Sequence, residues 1–190
     1  PIKIKNGDLK LKLSPEIFLE TNFETSLKYN SKSTIHKNFI KNYKYAEYLS
    51  QLNTKLNNYF SINFDKTYKV KKYKYNSNGS ILEADFDFKK PFKNYFLDEK
   101  ITQLSFANSK IKTSFSSEKN TINISGKYST NKDNLLSFSL ENIFDKDLLK
   151  LKLDIDYKKP INLDFINYKQ PQDSVATVSL NLEKKKIVLK

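Results

Sequence analysis

Cysteine, methionine, tryptophan and arginine are absent from this chain of 190 residues, histidine occurs once and glycine three times. Without cysteine there is no disulfide framework, no Cys-ligated zinc or iron–sulfur site and no thiol nucleophile. The single histidine, His36, leaves no His-rich metal site and no choice of base for a Ser-His-Asp arrangement. Gly7, Gly79 and Gly126 are too few and too scattered for a phosphate-cradling loop. No apolar run approaches the roughly 18 residues of a membrane-spanning helix, and no signal-type apolar stretch opens the chain. The start at Pro1, without an initiator methionine, points to a fragment of a longer protein. The missing targeting segment therefore does not locate the parent.

What is present is lopsided. All 34 cations are lysine, set against 21 carboxylates, for a net charge of +13. Asparagine is also frequent. Lysine and asparagine are the residues an adenine- and thymine-rich genome over-produces, so charge alone is a weak guide to a partner.

The dominant pattern is strict alternation. From Leu148 to Lys159, Leu149, Leu151, Leu153, Ile155 and Tyr157 alternate with Lys150, Lys152, Asp154, Asp156 and Lys158. Successive side chains of a strand point to opposite faces, so such a segment is apolar on one face and charged on the other. The same period runs through Ile17, Leu19, Phe23, Leu27 and Tyr29 with Thr21 and Thr25, and through Leu82, Ala84, Phe86 and Phe88. It returns at Leu104 and Phe106, at Ile122, Ile124 and Tyr128, at Leu136, Phe138 and Leu140, and at Val178, Leu180 and Leu182. The connections, such as 116–120, 130–134, 144–147 and 158–160, are short and polar. They can join antiparallel neighbours but cannot hold a parallel crossover. An up-and-down meander is expected from about residue 101 onward.

Residues 35–60 carry two periods at once. Tyr45, Leu49, Leu52, Leu56 and Tyr59 have helical spacing, whereas Leu52, Leu56, Phe60, Ile62 and Phe64 fit a strand. The reading is at most one short helix near 37–49 and then a long strand from about 51. Pro91 in Lys89-Lys90-Pro91-Phe92 is expected to stop a strand, which places a sub-boundary near 89–100 within one β-sheet domain spanning 1–190.

The sharper motifs read as surface. His36 has no acidic neighbour within five positions, which favours a loop histidine over a catalytic one. Asp85 with Asp87, and Asp154 with Asp156, alternate with the apolar set and so belong to a solvated face rather than a Ca2+ or acid–base site. Lys69-Val70-Lys71-Lys72-Tyr73-Lys74-Tyr75 interleaves cations with aromatics, as single-strand binders do, but without arginine nucleic acid is a disfavoured partner.

A sheet with one apolar face must cover it, and this chain has no helices to spare for the purpose. A long meander also twists, by about 20° per strand pair. The fold expected is therefore all-β: a long, strongly twisted antiparallel sheet whose concave face is apolar. That face either closes on itself as a core or remains a groove for an apolar chain-like molecule.

Several stretches resemble a known family. Tyr68 to Tyr75, Gly79-Ser-Ile-Leu-Glu-Ala-Asp-Phe, Lys90-Pro-Phe, Ile122-Asn-Ile-Ser-Gly-Lys-Tyr and the meander to Leu182 are similar to AsmA-like proteins of Gram-negative bacteria. The likeness covers about residues 60–190 and rests on pattern and a few Gly, Pro and aromatic positions. It implies a repeating β-groove that moves phospholipid between membranes and supports the cell envelope. It further implies a periplasmic location, with attachment to the inner membrane through a segment outside these residues. It brings no catalytic motif, so no enzyme activity, metal or cofactor is expected. The groove would be lined by Leu104, Phe106, Ile111, Phe115, Ile122, Ile124, Leu136, Phe138, Leu140, Leu149, Leu151, Leu153, Ile155, Val178, Leu180 and Leu182. Plain core packing would use the same sixteen, so a structural β-domain with a closed core and no ligand stands beside the groove. An outer-membrane barrel segment lacks its girdling tryptophan.

Overall fold

Segments of alternating apolar and polar residues have only one way to bury half their side chains while satisfying the backbone, which is to pair side by side. A computed structural model of the chain, which describes residues 2–13, 16–31, 46–94, 99–163, 167–171 and 174–185, shows them doing so. The strands are β1 (Ile2–Lys12), β2 (Ile17–Asn30), β3 (Leu49–Phe64), β4 (Val70–Asn94), β5 (Glu99–Ser116), β6 (Asn120–Thr130), β7 (Leu136–Phe144) and β8 (Leu148–Tyr157), followed by β9 (Asn162–Leu163), β10 (Tyr168–Lys169) and β11 (Ala176–Lys185). Nine form one sheet in the order β1-β2-β3-β4-β5-β6-β7-β8-β11, every neighbour antiparallel. The remaining two, β9 and β10, make a small separate hairpin between β8 and β11. The sheet does not close: β1 and β11 are its two edges.

Residues 37–45 of the expected short helix, and His36, lie outside the described residues, and Ala46–Tyr48 is a single 3-10 turn leading into β3. Two details depart from the sequence reading. Pro91 does not stop β4, which runs on to Asn94. Asp87 pairs with Gln103 and the next pair is Phe92 with Ile101, so β4 has three more residues than β5 between these pairs. Pro91 sits within this interruption, where its missing N–H removes no ladder bond. Finally, residues 2–12, not assigned above, form an edge strand.

Bulges hold one face of the sheet apolar. Asn53 pairs with Glu83 but Thr54 with Ile81, so β4 carries an extra residue at Leu82. Ala107 pairs with Lys127 but Lys110 with Ser125, so β5 carries an extra residue beside it. The two bulges are adjacent across the β4–β5 pair, because Ile81 faces Ser109 and Glu83 faces Ala107. A third, in β1, lies between Lys5 and Asp8. An extra residue switches the parity of the strand, so the odd positions Tyr75 and Ile81 share a face with the even Ala84 and Phe86.

Asparagine does the conformational work usually given to glycine. No described glycine has positive φ, whereas Asn6, Asn108, Asn131 and Asn167 do, at 51°, 48°, 51° and 52°. Asparagine tolerates the left-handed region better than other side-chain-bearing residues. Asn6 and Asn108 sit in two of the bulges. Asn131, in the β6–β7 turn, also ties the neighbouring strand: its Oδ1 accepts from Thr102 N at 2.8 Å and Gln103 N at 3.2 Å, and its Nδ2 donates to Lys100 O at 2.9 Å.

Very little is buried. Among the described residues the buried hydrophobic side chains are Ala84, Tyr128, Tyr157 and Ile161. The accessible surface, 14294 Å² for 22.3 kDa, compares with about 9,400 Å² for a compact monomer of that mass. Among the described residues the sheet does not fold over to hide its apolar face.

Glycine is required where the β5 bulge presses on β6. A Cβ on Gly126 would overlap the Ser109 side chain and lie 2.5 Å from its Cα, whereas a Cβ on Gly7 would meet Phe23 Cβ at an ordinary 3.8 Å. Gly126→Ala is expected to cost about 1–3 kcal/mol of stability, seen as a lowered urea midpoint. Gly7→Ala should be neutral or slightly stabilising in the same measurement.

Candidate functional site

The register places all sixteen residues predicted to line the groove on the same face. Ile111 pairs with Ile124, Ile124 with Leu140, Leu140 with Leu153 and Leu153 with Leu180. Phe138 pairs with Ile155 and that with Val178, while Leu151 pairs with Leu182 and Leu149 closes on Lys184. Leu104 and Phe106 join them across the β5 bulge, next to Thr130 and Tyr128. Ile122 and Phe115 alternate with Ile124 and Thr113, and Leu136 with Phe138. None of the sixteen is buried, and the three on β11, Val178, Leu180 and Leu182, are 43%, 48% and 46% exposed.

This face extends beyond the predicted set. One row perpendicular to the strands takes a residue from each of the nine: Ile4, Thr25, Leu56, Gly79, Ile111, Ile124, Leu140, Leu153 and Leu180. At about 4.8 Å per strand, this row is about 38 Å long. Its β5-to-β11 half is wholly aliphatic.

Aromatic rings border the aliphatic row on both sides. On one side Phe86, Phe106, Phe138 and Tyr128 follow one another at ring separations of 6.1, 5.0 and 6.3 Å. On the other, Tyr75, Phe115 and Phe144 do so at 6.2 and 6.4 Å. Phe106 and Phe138 belong to β5 and β7, about 9.6 Å apart, so their rings lean toward each other over β6. Gly126, the ladder partner of Phe138, presents no side chain there. Along β7 the two borders, Phe138 and Phe144, are about 20 Å apart.

Sequence reasoning missed Phe144, assigned above to a loop, because Asn142 interrupts the apolar period at the preceding position. It also missed Ile2, Ile4, Leu9 and Leu11, whose parity changes at the Asn6 bulge. A parity slip beside an Asn-Gly pair was the signal available.

The face is not uniformly apolar. Asn58, 5% exposed, donates through Nδ2 to Thr25 Oγ1 at 3.1 Å and to Phe23 O at 3.2 Å, and its Oδ1 accepts from Tyr75 Oη at 2.8 Å. Its ladder partner Ser77, also 5% exposed, has an Oγ with no partner. These groups interrupt the row between Phe23 and Thr113.

The opposite face is the lysine-rich one. Lys72 and Lys74 pair with Asn63 and Ser61 there, while Tyr73 and Tyr75 pair with Ile62 and Phe60 on the apolar side. The mixed basic–aromatic segment is thus split between two faces, which removes the interleaved surface that stacking on a nucleic-acid strand needs. The paired carboxylates do not converge on a site either. Asp87 Oδ1 accepts from Gln103 Nε2 at 2.8 Å, Asp154 Oδ1 from Ser179 Oγ at 2.6 Å, and Asp156 Oδ1 from Thr177 Oγ1 at 2.9 Å. No group of three potential metal ligands occurs among the described residues. No described helix is long and apolar enough to cross a membrane.

Comparison with protein-family models, curated proteins and solved structures finds no match for the chain.

Carboxylates with lowered pKa sit at both outer seams of the sheet and in the β3–β4 turn, where the Thr67 hydroxyl, followed by the Lys69 N–H, lowers Asp65. Asp8 is held below the usual range by the Asn22 N–H, which donates at 2.8 Å across the β1–β2 seam. At the β8–β11 seam the Ser179 hydroxyl lowers Asp154, and Lys185 followed by Lys150 lowers Glu183. A carboxyl with a depressed folded-state pKa stabilises fully above its unfolded value near 4, and the contribution fades as pH falls through the folded value. Acidification from pH 7 to below 4 is therefore expected to loosen β1, β11 and the β3–β4 turn before the rest of the central strands. Amide hydrogen exchange at graded pH, corrected for intrinsic rates, checks this, with early loss of protection expected in Asp8–Lys12 and Ala176–Lys185.

Proposed function

We propose that this chain is a non-enzymatic lipid-binding segment that shelters acyl chains along the apolar face of its sheet. One observation carries the reading: on one face of an open nine-stranded sheet, a row wholly aliphatic from β5 to β11, about 19 Å long and bordered by aromatic rings, is left uncovered by the described residues. Contiguous exposed apolar surface of more than a few hundred Å² is rare on monomers and marks interaction sites. Each methylene laid into it contributes about 0.8 kcal/mol without any hydrogen bond, so a segment of one acyl chain suffices for binding. A trough that holds chains this way asks for no catalytic residue. The opposite face, dense in lysine, asparagine and serine, keeps the sheet hydrated from behind.

The resemblance to AsmA-like proteins fits this reading and extends it. On that basis the chain belongs to a bridge for phospholipid between the membranes of a Gram-negative envelope, in the periplasm, with the inner-membrane anchor elsewhere in the protein. The closed-core alternative requires the sixteen residues to be sealed from water; thirteen of them are partly buried and the three on β11 are exposed.

Purified protein should retain phospholipid detectable by solvent extraction and mass spectrometry. Replacing the floor residues Leu140 and Leu153 together by Gln should lower the retained lipid at least about fivefold, since each side chain contributes on the order of 1.5–3 kcal/mol when covered. Lys152→Gln, on the opposite face, should leave it unchanged. A lipid-free protein whose apolar face is masked by a second copy would overturn the proposal.

A further inference from the structure

The apolar face is roofed in only one place among the described residues. Beyond β8 the chain turns at Lys158, Lys159 and Pro160, forms the β9–β10 hairpin, and is held back on the sheet by Gln170, whose Nε2 donates to Tyr157 O at 3.3 Å and Ser174 O at 2.8 Å. Gln170 N also donates to Ile161 O at 3.0 Å. Tyr128, Tyr157, Ile161 and Gln170 become buried at this corner, at 8%, 7%, 7% and 3% exposure.

A cavity of about 490 Å³ opens here, within the size range of small-ligand sites. Its floor includes Tyr128, Tyr157 and Leu136, all on the apolar face. Tyr128 is the last ring of the Phe86–Phe106–Phe138 border, so the cavity continues the trough. Its hydroxyl donates to Asp156 O at 2.6 Å. The rim is cationic. Lys158, Lys159 and Lys169 stand there, with Asp133 Oδ2 2.7 Å from Lys159 Nζ. Lys158 and Lys169 have no carboxylate partner among the described residues. Gln170 lines the same cavity with its Nε2 committed to two carbonyls and its Oε1 left without a donor.

An apolar floor continuous with a trough and a rim with two ammonium groups that have no carboxylate partner among the described residues match the two ends of an amphiphile. We propose that this cavity is a head-group site for an anionic phosphodiester lipid, with the phosphate between Lys158 and Lys169 and the acyl chains running out along the aromatic border. The site rests on the trough reading above and adds to it a fixed end and a preference of charge. A hydroxyl on the head group offers the donor that Gln170 Oε1 lacks. Lysine supplies the phosphate with mobile point charges rather than a bidentate fork, so the preference is for charge more than for head-group shape.

The test is a calorimetric or NMR titration of the purified chain with four probes: dihexanoyl phosphatidylglycerol, dihexanoyl phosphatidylcholine, glycerol 3-phosphate and inorganic phosphate. Phosphatidylglycerol is expected to bind about tenfold tighter than phosphatidylcholine at low salt, with the margin shrinking at 1 M salt. The triple variant Lys158→Gln, Lys159→Gln, Lys169→Gln should abolish that preference, and Lys55→Gln, Lys110→Gln, Lys112→Gln on the opposite face should preserve it. Equal binding of the two lipids, or an unchanged preference in the first triple variant, overturns the head-group site while lipid retention leaves the trough standing. Glycerol 3-phosphate or phosphate binding as tightly as phosphatidylglycerol at these lysines identifies a site for free phosphate esters and overturns the lipid assignment. Binding of glycerol 3-phosphate to a chain that retains no lipid overturns the trough instead.

Discussion

Everything in this structure depends on keeping register across nine strands. A strand has a side-chain period of two, so a one-residue slip exchanges its faces. Here each ladder preserves the same face, and at three of the places where a strand gains a residue, Asn6, Leu82 and Asn108, the bulge absorbs it and the apolar set resumes with the opposite parity. The β4 and β5 bulges lie side by side, so two strands change parity together and their own pairing stays in step. Bulges also sharpen the right-handed twist. The cost of this arrangement falls on β6, where Ser109 pushes toward Gly126 and no larger residue fits.

Most of the long strands were legible in the sequence as alternating runs, and those from β5 to β8 are joined by short polar turns. So was the shared face, because antiparallel hairpins with short turns leave little freedom in register. Three features were not. Pro91 reads as a stop only if its strand is paired continuously, and the interruption between Asp87 and Phe92 is invisible without the partner strand. Phe144 was hidden by Asn142, a polar residue on the apolar face. The first strand was hidden by the Asn6 bulge, which makes Ile4 and Leu9 look out of phase. The candidate site has the same split: its lining follows from alternation, whereas the roofed corner depends on where the β9–β10 hairpin returns, which no local pattern encodes.

Asparagine links the composition to the architecture. A chain so poor in glycine must place other residues at its left-handed positions, and asparagine can occupy them while also bonding to the neighbouring backbone. Asn131 does both, turning the chain and fastening the beginning of β5. Asp65 and Asp145 perform a related service without positive φ, each accepting backbone N–H groups across its turn. Polar side chains thus shape the hairpins, which leaves the apolar ones free of that task and available to the open face.

The surface area has a thermodynamic corollary. The heat capacity of unfolding and the denaturant m-value both scale with the surface newly exposed, and a compact chain of this length would show a heat-capacity change of about 2.3–2.9 kcal/mol/K. A chain that already exposes 14294 Å² has less left to reveal. Its stability curve is accordingly expected to be flatter than length alone implies. Covering the open apolar face would raise both quantities toward the values of an ordinary globular protein.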